Sequence, residues 1–437
     1  MTDITNIFVL LLVAMAAVYF ISSNRRMALL IIIAAFVTRP TFEISGLTVR
    51  LEMIVGAMTL LRLIHDGLGR KSQRFSSGVR WSLSFTLAWI AFAVVTSLNV
   101  PPYPQRSMTV LIWCFLNITT AVWIARTPSS WYWILRWGSS AALCCSVLAI
   151  VFWLGSTSQI FNFGVQVDPT YGGYAAYVFS LEANILAGLL SLWALVAVSN
   201  PMGAVPQWIR LTLAFSAPMA ILTTHTRAAL VAYLVGLVAC LILKPAARRV
   251  AVASIGVGGL GALLLLLGGG DSGFSKFMGV FDIDEGTGGL RNRVGNVAIA
   301  EWWSSPERMI GLGWNSFGQR HIDETQAALS LPGYIGNLPI QILYDSGIVG
   351  GCLVVLSVLA IAVALWRVRR FDGLAVFLLP YILFSIATMV LWLLETWIFV
   401  GLAWGLCAKY GAIQGSRLSQ GGFGTAPEPE TKIEYAT

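Results

Sequence analysis

"LTTHTRAALVAYLV", residues 222–235, is where two apolar runs meet with almost no linker between them. The gap holds His225 and Arg227, in a chain where only 11% of residues are charged. A soluble protein carries about a quarter charged residues. Here 57% of the 437 residues are hydrophobic, and tryptophan occurs 17 times. Uninterrupted apolar runs recur on both sides of this corner, and a run of about 20 such residues crosses a bilayer. The fold class that follows is all-α, a polytopic membrane bundle of about 12–13 transmembrane helices with one large, partly helical external loop.

Working outward, spans are expected near 6–22, 27–38, 50–65, 81–99, 108–125, 138–154, 181–199, 210–223, 228–243, 250–268, 338–366, 373–391 and 393–408. The domain plan has an N-terminal bundle at 1–268, a loop with amphipathic helices at 269–337 and C-terminal helices at 338–408. A disordered, Gly- and Pro-rich tail at 409–437 follows. The first span is expected to be retained. It lacks a basic residue before it and has Arg25 and Arg26 after it, the reverse of a signal peptide.

The net charge of +8 is not a nucleic-acid footprint, because it falls in alternate loops. Arg25 and Arg26; Arg70, Lys71, Arg74 and Arg80; Arg126 and Arg136; Lys244, Arg248 and Arg249; and Arg367, Arg369 and Arg370 follow alternate spans. That asymmetry marks cytoplasmic loops. The C-terminus is then cytoplasmic. The segments 155–180, 224–227 and 269–337 are external. The six cysteines all fall in spans and read as small buried hydrophobes, not as disulfides or metal ligands.

In the long loop, "LRNRVGNVAIAEWW" places Val294, Val297, Ala298 and Trp302 at helical spacing, opposite Asn292, Asn296 and Glu301. An amphipathic helix lying at the membrane interface is expected there. "SSPER" is expected to open a second short helix, with "GLGWNSFGQR" a turn-rich lead to His321. "GVGGLG" at 256–261 matches a dinucleotide-binding pattern in letters only. It lies inside an apolar span, where small residues serve helix packing.

Arg227 at an external helix end either snorkels to headgroups or waits for an anion, and an arginine fork suits phosphate oxygens. Arg291 and Arg293 open the loop helix on the same side and read either as lipid-binding or as partners of Arg227 around a diphosphate. Glu182, Asn184, His225 and Asp345 are supporting candidates, since polar groups at span edges or inside spans need partners. Asp345 is expected to pair with an arginine or to face a cavity. No H-E-x-x-H, D-x-D or metal-spaced His/Cys set occurs, so neither a metal nor a cofactor is expected.

"RNRVGNVAIAEWWSSPERMIGLGWNSF" (291–317) resembles the stretch of bacterial O-antigen ligases and polymerases in which an arginine opens a helix and a G-x-G-x-x-x-F turn follows. "NLPIQILYDSGIVGG" (337–351) is similar to that family's next span, "THTRAAL" (224–230) to its Ser/Thr-x-Arg-Gly/Ala corner, and "EANILAGLL" (182–190) to its Pro-Asn-x-x-Ala segment. The four matches occur in family order.

The resemblance implies a glycosyltransferase whose substrate is an undecaprenyl-diphosphate-linked glycan, with membrane lipids and other polysaccharide assembly proteins as partners and no nucleic acid. It implies that Arg227 and Arg291, with Arg293, hold the diphosphate. Catalytic roles are expected for Asn337 and for His321 or Tyr334. The family carries a histidine directly before the asparagine, where this chain has Gly336. Either Tyr334 or His321 supplies the missing group, or the chain uses another base, or it is not catalytically equivalent. Polymerisation leads, ligation to an acceptor is second, and a transporter or flippase of lipid-linked glycan is the alternative from another class.

Overall fold

A computed structural model describes residues 19–38, 41–44, 47–69, 75–98, 104–167, 173–267, 286–321, 335–370, 373–386, 388 and 391–419. The expected first span, 6–22, lies almost wholly outside the described residues, as do Tyr334 and the end of the tail. Helices dominate. They are α1 (Asn24–Phe36), α2 (Leu51–Gly69), α3 (Ser77–Ser97), α4 (Pro104–Arg126), α5 (Pro128–Thr157), α6 (Ala183–Ser199), α7 (Gln207–Thr223), α8 (Arg227–Leu243), α9 (Arg248–Leu267), α10 (Gly286–Ser304), α11 (Leu338–Arg367), α12 (Leu379–Ser385) and α13 (Leu394–Ser419). Two small antiparallel hairpins, β1 (Thr41–Ile44) with β2 (Leu47–Arg50) and β3 (Val165–Val167) with β4 (Tyr174–Ala176), cap connections. The protein is an all-α polytopic membrane bundle.

Among the described residues four helices are long and apolar enough to cross a membrane: Ser77–Ser97, Pro128–Thr157, Pro245–Leu263 and Leu338–Arg367. The helices α6, α7 and α8 have 17 residues each. At 1.5 Å per residue they reach about 26 Å, less than the ~30 Å hydrocarbon thickness. Burial makes this tolerable for α6, which is enclosed from Leu186 to Ser199 and forms the axis of the bundle. A helix apolar on every side belongs inside. Around it, Trp193 packs on Phe399, Gly138 and Phe36.

Helix directions follow from contacts. Gly138 of α5 meets Trp193 of α6, while the Asn24 amide at the start of α1 donates to Ser129 Oγ at the start of α5 (3.0 Å). Ser191 Oγ of α6 donates to the Ala229 carbonyl of α8 (3.1 Å), and Leu195 lies over Gly236, so α6 and α8 run parallel. Gly405 of α13 sits on Trp131 near the start of α5. The basic residues at the starts of α1, α5 and α9 and at the end of α11 thus gather at one end of the bundle. Arg227, at the start of α8, is at the opposite end.

The long helix α11 is broken. Gly347 has φ 63°, ψ −165°, a conformation open only to glycine. The break exposes backbone groups, and the returning segment 308–313 satisfies them. Leu312 N–H donates to the Tyr344 carbonyl (2.7 Å) and Gly313 N–H to the Asp345 carbonyl (3.1 Å). In return Ile348 N–H donates to Arg308 O (3.3 Å) and Val349 N–H to Met309 O (3.1 Å). Irregular backbone at membrane depth persists only when protein covers and bonds it. The turn carries Trp314 between Trp89 (4.8 Å) and Trp392 (6.3 Å), and its N–H donates to Ser97 Oγ at the end of α3 (3.1 Å).

Several expectations are corrected here. Residues 306–310 form turns, not a helix, and the Arg308 and Met309 carbonyls are spent on α11. The loop helix α10 is not a free interfacial helix. Ala298 and Trp302 are buried against α11, and the small Gly295 brings the two backbones close, with Ile340 beneath it. Val297, expected inward, is exposed. Cys144 and Cys352 also face outward, as lipid-facing side chains do. The "GVGGLG" stretch is interior to α9, where Gly258 and Gly261 meet Pro218 and Met219 of α7 while Gly256 and Gly259 face out. The helix of α13 runs past residue 408 to Ser419, with the Arg370 guanidinium stacked 3.5 Å over Tyr410.

Gly311 and Gly347 lock each other. A Cβ on Gly311 would lie 2.5 Å from the Asp345 carbonyl, and one on Gly347 would run into the Met309 carbonyl. Gly347→Ala should therefore cost about 3 kcal/mol or more. The expected outcome is a clearly lowered midpoint in detergent thermal-stability measurements by fluorescence-detected size exclusion. An unchanged midpoint would contradict the lock.

Candidate functional site

The start of α11 is organised by side chains. Asn337 is its N-cap, with Oδ1 accepting from Ile340 N–H (3.2 Å), as a cap must to satisfy a free helix donor. Gln341 Oε1 accepts from Ile335 N–H (3.0 Å), and its amide donates to Asp345 Oδ1 (2.8 Å). The Asp345 carboxylate also takes the backbone N–H groups of Asn315 and Ser316. This buried relay ties the chain before α11 to the G-x-G-x-x-x-F turn. Of the two expectations for Asp345, an arginine partner or a cavity, the first is replaced: its described partners are an amide and the turn backbone. Only the i, i+4 spacing of Gln341 and Asp345 could have signalled it.

Between Ile335 and Asn337, Gly336 has φ 72°. The side chain of Arg291 lies across it. A Cβ at Gly336 would come within 3.3 Å of Arg291 Cγ and 3.5 Å of its Nε. Arg291 thus occupies the space that a side chain at the resemblance's histidine position would need. Arg293 is turned about 200° round α10, at 100° per residue, and is exposed. The structure therefore does not bring Arg291 and Arg293 to one point.

Arg227 sits at the first residue of α8, half-buried, after a corner closed by Thr224 and His225. Thr224 N–H donates to Ile221 O (3.2 Å) and His225 N–H to Leu222 O (3.1 Å), with His225 in the left-handed region at φ 54°. His225 is buried and is the turn residue of this hairpin. Glu182 is the N-cap residue of α6, and Asn184 Oδ1 accepts from Ile185 N–H (3.1 Å), at the same end as Arg227. Arg291 shares that end too: the turn that holds α11 packs on Trp392, just before the start of α13, and α13 reaches the basic end at Gly405.

His321 lies against α10 farther along, at Glu301. Its Nε2 is 2.7 Å from Glu301 Oε2, and Arg320 Nη1 is 3.4 Å from Glu301 Oε1. The imidazole stacks on Phe317 (4.7 Å between centroids), which packs edge-on against Tyr344 (5.4 Å). Glu301 was read from the sequence only as part of a polar helix face; nothing local links it to His321. Another group missed is Arg50, whose guanidinium lies 4.3 Å over the Trp113 ring beside the buried Glu52. A basic residue beside an acid at the opening of an apolar run was its only trace.

Arg227 at the first residue of α8, Arg291 beside the start of α11 and the N-termini of both helices lie toward one end of the bundle, and a helix N-terminus or a guanidinium each suits an anion. A search of curated proteins found no match. Residues 211–355 match the family model described as O-antigen ligase, a stretch that contains the corner, α10 and the broken part of α11. That segment, about a third of the chain, is what is similar to the O-antigen ligase family.

Proposed function

We propose that the protein polymerises undecaprenyl-diphosphate-linked oligosaccharide repeat units into a surface polysaccharide at the periplasmic face of the inner membrane. The family handles lipid-linked glycans in polymerisation or ligation, and the chain is a membrane protein. The observation that supports the finer reading is that Arg227, at the start of α8, and Arg291, on α10 beside the start of α11, lie toward one end of the bundle. With the basic loops cytoplasmic, that end is periplasmic.

In the reaction a sugar hydroxyl of one chain attacks the anomeric carbon of another, and the bond from that carbon to the diphosphate oxygen breaks. The diphosphate leaves with the electron pair. Its growing charge is met by the two guanidinium groups and the positive ends of α8 and α11, fixed before the reaction starts. A base removes the hydroxyl proton late and contributes about 10²–10⁴-fold. Arg293, on the exposed side of α10, suits anionic headgroups. Glu182 and Asn184 border the same end, while His225 and Asn337 shape the two helix starts. Tyr334 stays a candidate base.

Polymerisation is preferred because Gly336 replaces the family histidine, a position that varies more among polymerases by the resemblance described above. Ligation is the second reading, favoured by the description of the matching family model. The ladder of surface glycan in a deletion strain separates them. Single-repeat product marks a polymerase, whereas long lipid-linked chains left unattached mark a ligase.

Arg227→Ala or Arg291→Ala should each lower product by about 10²-fold or more, the scale of a lost transition-state donor, with normal protein in the membrane. Wild-type ladders from both variants, expressed in the deletion strain, would end this reading. Gly336→Ala should cost about 1–2 kcal/mol through its left-handed backbone and should displace Arg291. Its ladder is expected to shorten more than its membrane level falls, as read by gel and immunoblot on the same cells.

A further inference from the structure

We infer that Glu301, Arg320 and His321 form a saccharide subsite that grips the glycan of the lipid-linked substrate, some distance from its diphosphate. This inference rests on the proposed function, since it takes Arg291 as a diphosphate ligand. Arg291, Val294, Ala298 and Glu301 lie along one ridge of α10 at helical spacing. Ten residues separate the two polar ends of that ridge, about 15 Å at 1.5 Å per residue. A base must come within about 3 Å of the proton it removes. His321, held at Glu301, is therefore misplaced for the anomeric centre next to an Arg291-bound diphosphate. It is well placed for sugars a few rings along the chain.

The chemistry of the cluster is that of a sugar-binding surface. The carboxylate of Glu301 uses one oxygen toward Arg320 (3.4 Å) and the other toward His321 (2.7 Å). Ionised carboxylates offer about four acceptor sites and guanidinium five donors, so both keep capacity for vicinal hydroxyls. Arg320 also donates to the Leu312 carbonyl (3.5 Å), which fixes the fork. From below, the cluster stands on a buried apolar layer of Ala298, Trp302, Leu312, Phe317, Ile335 and Tyr344. On its other side the cluster is partly exposed: the side chains of Arg320, Glu301 and His321 are 38%, 27% and 18% exposed. A rigid base and a half-open polar rim are what selective binding of a neutral, hydroxyl-rich chain requires.

The test compares two ligands on the purified full-length protein in nanodiscs. One is undecaprenyl diphosphate, which has no sugar; the other is the lipid-linked oligosaccharide extracted from the deletion strain. Glu301→Gln and His321→Ala should each weaken the oligosaccharide about tenfold, the effect of losing one charge-assisted hydrogen bond. Binding of undecaprenyl diphosphate should stay within about twofold, because diphosphate contacts are untouched. Arg320→Gln provides a third variant if one of these does not yield folded protein by size exclusion.

Unchanged oligosaccharide affinity in the folded variants would overturn the subsite, as would equal weakening of both ligands. A fall in turnover with both affinities intact would also overturn it and return His321 to proton transfer. Arg291→Ala reports separately on the diphosphate. If it weakens neither ligand, the proposed function fails whatever Glu301→Gln does.

Discussion

The structure depends on a repaired break. At Gly347 the helix of α11 loses its regular hydrogen bonding, and the segment 308–313 returns to bond the exposed groups in both directions. In hydrocarbon each unsatisfied backbone group costs several kcal/mol, so the break and the returning segment must exist together. From this follow the position of the turn, the depth of Trp314 between α3 and α13, and the clamp of Asp345 on the backbone of Asn315 and Ser316. The relay through Gln341 carries the same constraint to Gly336, over which Arg291 lies.

Hydropathy made the bundle legible, and the alternation of basic loops sorted its two ends. The tight corner at 224–227 was legible as well, because a helical hairpin with so short a linker has few ways to turn. Which apolar side chains point inward was not legible. Outside a membrane protein is also apolar, so Cys352 and Val297 obey the same pattern whether buried or facing out. The glycine lock was invisible for a different reason. It pairs residues more than thirty positions apart in sequence, and neither partner shows a local pattern that needs the other.

The candidate site was legible in its cations and not in its arrangement. Arg227 and Arg291 were singled out as charges where charge is costly. Arg293 was grouped with them by sequence proximity, yet a two-residue step turns it to the far side of the helix. Asn337 and Asp345 were read as chemical groups and serve as a cap and a backbone clamp. Glu301 looked like an ordinary polar-face residue until the chain brought His321 and Arg320 back to it.

The hairpin lock at Gly311 and Gly347 also bears on how the protein moves. Lifting the turn would break four backbone hydrogen bonds at once, so the cradle under Arg291 behaves as an anvil, not a jaw. Under the proposed function, substrate exchange is then gated elsewhere, by the lipid-facing walls or by the glycan sliding across a stationary seat. A rigid seat of this kind needs no opening and closing between successive ligands.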